Sequence, residues 1–318
     1  MTATALVSRA DGSDELVDLE SGLHGRPRSK ALLWVDLSVP TGAEVDQVAT
    51  ALRLDDDTRR ALEGDLESPN ARMQADAVEV IVDAADTDSL EPRRVQMLAG
   101  AGWVVTRHDD EAAFLEEHRQ QILDERETGR LHAVELLATM LDWQIETFFA
   151  AAESLEREVD RLDEAALRGS TGLLERMVEL RSRIGRLRRT VAAQREVFGE
   201  LTRPDFLPPP AAKQVGDAFE RLSVKLEVAL TGVTDVREML IGTFDVHMTR
   251  LAQRTNDVMR VLTLASVVLL PSVVIAGIMG MNFKVGLFDN PNLFWVVIAL
   301  MVALAGATLG FARWRGWL

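Results

Sequence analysis

Few side chains in this sequence stand where they could do chemistry, and the most informative one is an amide. Asn282 closes the run VLTLASVVLLPSVVIAGIMGMN, within a stretch that has no ionisable residue between Arg260 and Lys284. A carboxamide is neutral, and its carbonyl oxygen accepts hydrogen bonds from the water around a cation. Mg2+ gives up its water reluctantly and is often bound through it. A ring of amides can therefore recognise the hydrated ion without trapping it, whereas carboxylates would bind more tightly and release more slowly. The other reading of Asn282 is a cap at the end of a helix. Upstream, Asn256, Met259, Thr263, Ser266, Leu270, Val273, Gly277 and Gly280 recur three or four residues apart and share one helical face. That face is less bulky and more polar than its opposite. It suits close helix packing or the lining of a pore, and spacing alone leaves both open.

Other constellations are poorer. His24, His108, His118, His132 and His247 are scattered without the HExxH spacing of a catalytic zinc site, and there is no cysteine to supply thiolate ligands, nucleophiles or disulfides. Asp55 to Asp57 and Asp109 to Glu111 are short acidic clusters that read as helix caps rather than metal ligands. No phosphate-binding loop, nucleophile elbow or dinucleotide fingerprint is present. The expectation is a protein that is not an enzyme and holds no covalently bound cofactor.

The elements that would position Asn282 follow from charge and hydropathy. The chain has 318 residues, 50 acidic and 35 basic, for a formal net charge of -15. Its mean hydropathy is nevertheless +0.03, so something strongly apolar offsets an acidic surface. The offset lies in two uncharged runs, Arg260 to Lys284 and Asp289 to Arg313, each close to the roughly 20 residues a bilayer-spanning helix needs. From Val261 to Leu318 the only charges are Lys284, Asp289, Arg313 and Arg315, a net +2, which leaves -17 on the first 260 residues. An acidic body without a basic stripe is a poor partner for nucleic acid. The lipid bilayer is the expected partner of the C-terminal hairpin. Met1 to Leu16 has no apolar core behind a basic start and does not read as a cleaved signal peptide. Arg250, Arg254 and Arg260 before the first span and Arg313 and Arg315 after the second lie on one side. The positive-inside rule makes that side cytoplasmic. The expectation is a multi-pass protein of the cell (inner) membrane with both termini in the cytoplasm.

The body reads as α+β followed by long helices. Ala31 to Val39, Ala77 to Ala84 and Val95 to Thr106 read as strands, and Gly42 to Leu52 and Asp57 to Leu66 as short helices between them. From Leu131 the apolar period changes to three and four. Val134, Leu137, Leu141, Ile145, Phe148, Ala152, Leu155, Val159 and Leu162 form one stripe. Leu173, Met177, Leu180, Ile184, Leu187, Val191 and Phe198 form a second after the break at Gly169 to Gly172. Two antiparallel helices follow. After the breaker RPDFLPPP, a third stripe of Phe219, Leu222, Leu226, Leu230, Val233, Leu240, Phe244, Met248 and Leu251 runs into the first span. Unbroken from Asp217 to Gly280, that helix would be about 96 Å long. A rod of that length is most economically buried against copies of itself, so a homo-oligomer about a central axis is expected.

Gly280, Met281 and Asn282 spell GMN at the end of the first of two C-terminal spans, and this resembles the signature of the CorA family of divalent-cation channels. NDVMRVLTLASVVLLPSVVIAGIMGMNF from Asn256 to Phe283 is similar to that family's pore helix, Pro271 included. WVDLSVPTGAEVDQVA from Trp34 resembles its cytoplasmic opening, and the tail from Arg313 to Leu318 its C-terminus. The resemblance implies a homopentameric funnel that passes Mg2+, with Co2+ or Ni2+ as further cargo. It places Gly280, Met281 and Asn282 in a selectivity filter. Leu270 and Val273 narrow the pore, Asn256, Met259 and Leu262 form an inner constriction, and Ser266 and Gly277 lie on the same line. Apolar rings of this kind gate by dewetting. The implied division is 1–125 for the cytoplasmic α/β domain, 126–216 for the antiparallel helices, 217–260 for the stalk, 261–283 for the pore span, 284–291 for an external loop, 292–312 for the second span and 313–318 for a basic tail.

Three departures from the family pattern qualify the cargo. Met279 stands where a tyrosine usually precedes GMN, Val273 where many members have threonine, and the loop FKVGLFDNPN lacks the usual MPEL. A proton-coupled zinc transporter of the same superfamily and a nonconducting membrane-anchored helical scaffold are the alternatives. Family members sense cytoplasmic Mg2+ through carboxylates between subunits. Here Arg221 falls where a stalk aspartate is expected, with Asp217, Glu220 and Asp245 as nearby candidates for a regulatory Mg2+. An arginine there replaces the ion by a permanent salt bridge and predicts weak Mg2+ feedback.

Overall fold

The structure, a computed structural model, describes residues 3–9, 14–18, 31–74, 77–86, 89–125, 132–170, 172–207, 209–281 and 292–315. The chain divides into two compact units, Met1–Thr243 and Phe244–Leu318.

The first unit is built on a sheet in the order β2-β1-β3-β7-β6-β5-β4, with β1 Ala3–Arg9, β2 Asp14–Asp18, β3 Ala31–Ser38, β4 Asn70–Met73, β5 Val78–Ala85, β6 Pro92–Gly100 and β7 Trp103–His108. All pairings are antiparallel except β3 with β7. Alternate residues of each strand feed two separate cores. On one face Leu33, Val35, Leu37, Leu98, Trp103 and Val105 pack with Val45, Val48, Leu52 and Leu62. These last come from α1, Gly42–Leu52, and α2, Asp56–Glu63. On the other face Leu32, Trp34, Val80, Val82, Met97 and Val104 join a larger core with the remaining helices.

The expected strands and helices are present, with three differences. Val95 to Thr106 is a hairpin rather than one strand, because Gly102 takes φ 81° and reverses the chain between β6 and β7. The second helix starts one residue earlier, capped by Asp55, whose carboxylate accepts from the N–H of Asp57 and Thr58 at 2.9 Å each, and it ends at Glu63 before Gly64. The strands β1, β2 and β4 are additional to the expected set; β2 and β4 lie at the sheet edges, the first acidic and the second four residues long.

Five long or medium helices follow: α3 Ala113–Glu125, α4 Ala133–Arg168, α5 Leu173–Leu201, α6 Pro209–Met279 and α7 Leu293–Trp314. The break between α4 and α5 is a left-handed cap at Gly169, φ 73°, a conformation glycine adopts without steric cost. Ion pairing of Arg183 with Glu158 at 2.5 Å confirms that α4 and α5 run antiparallel. Their docking to the sheet answers a backbone requirement. β4 pairs with β5 only as far as Ile81, so beyond it the outer edge of β5 exposes unpaired peptide groups that must find partners. Two fully buried glutamines supply them. Gln144 donates to the carbonyl of Asp83 at 2.5 Å, and Gln194 accepts from the N–H of Asp83 at 3.4 Å, while Thr147 accepts from the N–H of Ala85 at 2.9 Å.

The start of α6 lies at Pro209, so part of RPDFLPPP belongs to the helix rather than breaking it. Proline is tolerated in a first turn, where its missing N–H has no partner to lose. The helix is then continuous to Met279, and the divisions at 217 and 261 fall inside one element. Phe219, Leu222, Leu226, Val233 and Leu240 are buried as their period predicts, whereas Phe244, Met248 and Leu251 are exposed. The periodicity thus continues past the last residue that the first unit buries. Two helices are long and apolar enough to cross a membrane, Val215–Met279 and Phe294–Trp314. The second runs two residues past the expected 312, to Trp314. The expected external loop 284–291 lies outside the described residues, as do positions 316–318 of the tail.

Candidate functional site

The candidate site is the apolar end of α6. Pro271 sits inside the helix and removes the donor for one intrahelical bond without ending it, a defect membrane helices tolerate. Ser266 donates its hydroxyl proton to the carbonyl of Leu262 at 2.9 Å, so its free lone pairs face outward as acceptors only. The helix closes at Gly280, whose N–H bonds the carbonyl of Ala276 at 2.9 Å. Met281 then bonds Ile278 at 3.2 Å. A Cβ at Gly280 would meet that Ala276 oxygen at 3.3 Å, tight enough that the turn would have to shift. Asn282 itself lies outside the described residues.

Exposure divides this part of α6 into two sides. Leu264, Val268, Pro271, Ser272, Ile275 and Met279 are partly sheltered, and they recur at the three-to-four spacing of one face. On α7, Val297, Met301, Ala305 and Thr308 are partly sheltered and Ala312 is buried, again on one face. Such paired stripes are what two helices of a hairpin hide from each other. The sequence-predicted line sits on the other side of α6. Met259, Ser266, Leu270 and Gly277 are roughly half a revolution from Val268, with Val273 and Leu262 beside them and Asn256 on the opposite flank. All seven are exposed, Leu270 and Val273 by 64% and 66%. One chain therefore partly shelters the side of α6 that lacks the candidate residues and leaves the candidate line exposed.

The three regulatory candidates are not brought together. Asp217, Glu220 and Asp245 are each exposed, and among the described residues no group of three or more histidine, aspartate or glutamate side chains is placed to hold a metal. Arg221 borders a cavity of about 560 Å³ between α4 and α6, shared with Glu135, Thr139, Asp142 and Lys225. Lys225 bridges Asp142 at 2.5 Å and Glu146 at 2.6 Å. Burial works against its charge, but the two carboxylates prevail and hold its pKa above the ordinary lysine value.

A buried polar cluster at the carboxyl ends of β3 and β7 escaped sequence reading. Trp34 donates to the Thr106 hydroxyl at 3.0 Å, and Thr106 donates to Asp36 at 2.6 Å. His108 Nε2 lies 3.3 Å from the same carboxylate, and Arg119 of α3 lies 3.8 Å from it and bonds Thr4 and Glu116. Burial opposes protonation of His108. The attraction of the Asp36 carboxylate, with the carbonyl of Asp110, more than offsets it, so the His108 pKa is raised. The only sequence signal was alternation, which puts Asp36 and Thr106 on one face of adjacent strands but says nothing of which strands pair.

A family model described as CorA-like Mg2+ transporter protein matches residues 29–311. The chain is 30% identical over 190 residues to the cobalt/magnesium transport protein CorA of Thermotoga maritima, covering 58% of this chain and 52% of that protein. The match thus spans about half the length of the Thermotoga protein. It is 24% identical over 245 residues to the putative metal ion transporter YfjQ of Bacillus subtilis, 74% of each chain. In fold it is similar to the complete structure of the CorA magnesium transporter from Methanocaldococcus jannaschii, with a TM-score of 0.80 at 21% identity, covering 100% of this chain and 99% of that one.

Proposed function

The chain belongs to the CorA-like Mg2+ transporter family, a family of divalent-cation transporters of the membrane, and from that premise we propose that it admits Mg2+ to the cytoplasm through a pore lined by α6. Co2+ and Ni2+ are further cargo of the same path. The observation that carries this reading is the two-sidedness of α6. Its sheltered stripe is matched by a sheltered stripe on α7, and the exposed line of Asn256, Met259, Leu262, Ser266, Leu270, Val273 and Gly277 is the side left for other copies of the chain. Copies of the same helix around an axis, five in the homopentamer, give that line a lumen to face.

The chemistry follows from the residue types. At the outer end, Asn282 from each copy offers neutral carbonyl acceptors to the water of hydrated Mg2+, with the turn at Gly280 setting their position. Ser266 adds acceptor lone pairs deeper in. Leu270 and Val273, then Met259 and Leu262, ring the path with apolar side chains that exclude a water column until the rings widen. No counter-transported ion is required for inward flow, because moving a divalent ion down the membrane potential releases about 4.6 kcal/mol per 100 mV. In this reading both termini are cytoplasmic, on the side of the arginines that flank the spans, as the positive-inside rule expects.

The test is flux into liposomes holding the purified protein, read with a Mg2+ indicator and separately with a Zn2+ indicator, for wild type and Asn282→Ala. The expectation is Mg2+ entry that Asn282→Ala sharply reduces. Entry of Zn2+ alone would move the protein to the zinc reading. Mg2+ entry indifferent to Asn282→Ala would remove the amide ring, and no entry of either ion would leave a scaffold.

A further inference from the structure

The proposed function uses the exposed line of α6 but not the other side of the same helix, where a row of arginines continues the α7-facing stripe toward the cytoplasmic end. Arg250 and Arg254 lie on the helical side occupied further on by Leu264 and Val268, and Arg260 lies just beside it. On α7, Arg313 and Arg315 follow Ala312, the buried residue nearest the same end of the hairpin. All five arginines are exposed. Among the described residues Arg254, Arg260, Arg313 and Arg315 form no ion pair, and the only carboxylate on this side of α6 near them is Asp257. Trp314 between the last two is 81% exposed, and the Arg315 guanidinium lies 5.8 Å from the centre of the Phe311 ring.

This is the composition of a lipid interface. Tryptophan settles at headgroup level, and clustered arginines next to a membrane helix attract anionic lipid, about fivefold in affinity for each one near the surface. Guanidinium forks also match phosphate oxygens in pairs. Resting on the reading of α6 and α7 as membrane spans, we propose that Arg250, Arg254 and Arg260 of α6 with Arg313 and Arg315 of α7 bind the phosphodiester headgroups of anionic phospholipids of the inner leaflet. Arg250 and Arg254 face away from the pore line and Arg260 lies on the flank between the sheltered stripe and Asn256, so the site holds lipid at the outer flank of each copy. The acidic body, -17 over the first 260 residues, would otherwise be repelled by the same leaflet, and these arginines offset that repulsion where the chain enters the membrane.

The test is quenching of the protein's tryptophan fluorescence in bilayers of brominated phosphatidylglycerol mixed with phosphatidylcholine, and in the mirror mixture with the bromine on phosphatidylcholine. Trp295 and Trp314 of α7 report contact. The expectation is that phosphatidylglycerol associates at least fivefold more strongly at low salt and loses this advantage as salt rises. Arg254→Gln/Arg260→Gln/Arg315→Gln brings the ratio toward one, each single substitution bringing part of the fall. Equal quenching by both lipids in the wild type overturns the proposal while leaving the spans intact, and absence of quenching by either overturns the membrane reading itself. Selectivity erased by inorganic phosphate at constant ionic strength identifies a general phosphate site and overturns the assignment to lipid.

Discussion

Asp36→Asn tests the electrostatics of the first unit, because one carboxylate there accepts a hydrogen bond and faces two basic side chains. Asp36 accepts from Thr106 at 2.6 Å and faces His108 at 3.3 Å and Arg119 at 3.8 Å. The amide oxygen of Asn can keep the Thr106 bond. What is lost is the negative charge opposite two cations, and the new N–H group has no acceptor among them. Removing one partner of a buried pair leaves the other uncompensated, at a cost of about 3–5 kcal/mol, and Arg119 keeps its bonds to Thr4 and Glu116, so the loss should be about 3 kcal/mol at pH 6. That corresponds to roughly 6–12 °C in the melting temperature of a unit of this size. The sign with pH follows from the raised pKa of His108. The imidazolium's attraction to Asp36 is fully present below the ordinary histidine value near 6.5 and is lost as pH rises through the raised folded value. The wild type should therefore lose stability across a window that opens near pH 6.5 and extends above it, and Asp36→Asn should flatten that slope. Thermal unfolding of the full chain in detergent, followed by circular dichroism from pH 5.5 to 9, measures both. An unchanged slope in Asp36→Asn would refute the pairing of His108 with Asp36.

Two further substitutions probe other parts of the account. Gly100→Ala places a Cβ 2.3 Å from two ring carbons of Trp103, which is buried and cannot swing away. A loss of about 3 kcal/mol in denaturant unfolding, the upper end for overpacking, is expected, and a neutral result would mean the hairpin yields. Arg221→Asp replaces the cation beside Glu135 and Asp142 in the α4–α6 cavity with a third carboxylate. Limited proteolysis should show little Mg2+ protection of the wild type and clear protection of the variant, and strong protection of the wild type would contradict the weak Mg2+ feedback expected from Arg221.

The helical part of this protein was legible because its period is long and uninterrupted. The stripes of α4 and α5, the break at Gly169 and the two apolar runs each repeat one signal over many residues. The sheet was less so. β4 has four residues and β2 is acidic, so neither offers the alternation that marks a half-buried strand, and Val95 to Thr106 reads as one strand because the turn at Gly102 is flanked by apolar residues on both sides. The polyproline segment misled for a local reason, since proline stops a helix only in its interior. The candidate line on α6 could be listed from spacing, but whether it packed or lined a lumen could not. Its exposure supports the lumen reading proposed above. The cluster around Asp36 needed the pairing of β3 with β7, strands that are far apart in sequence and come together only in the sheet.

The central claim is that ions pass along the exposed line of α6 and not along its α7-facing side. The chain has no cysteine, so single cysteines report without background. They can be placed in turn at Met259, Ser266, Leu270, Val273 and Gly277, and at Leu264, Val268 and Ile275. Mg2+ entry into liposomes is then measured before and after a small charged thiol reagent. The account predicts block at the first five positions and none at the last three, a pattern with the period of the helix. Block at Leu264, Val268 and Ile275 with the others indifferent would put the ion path on the wrong side of α6 and contradict it.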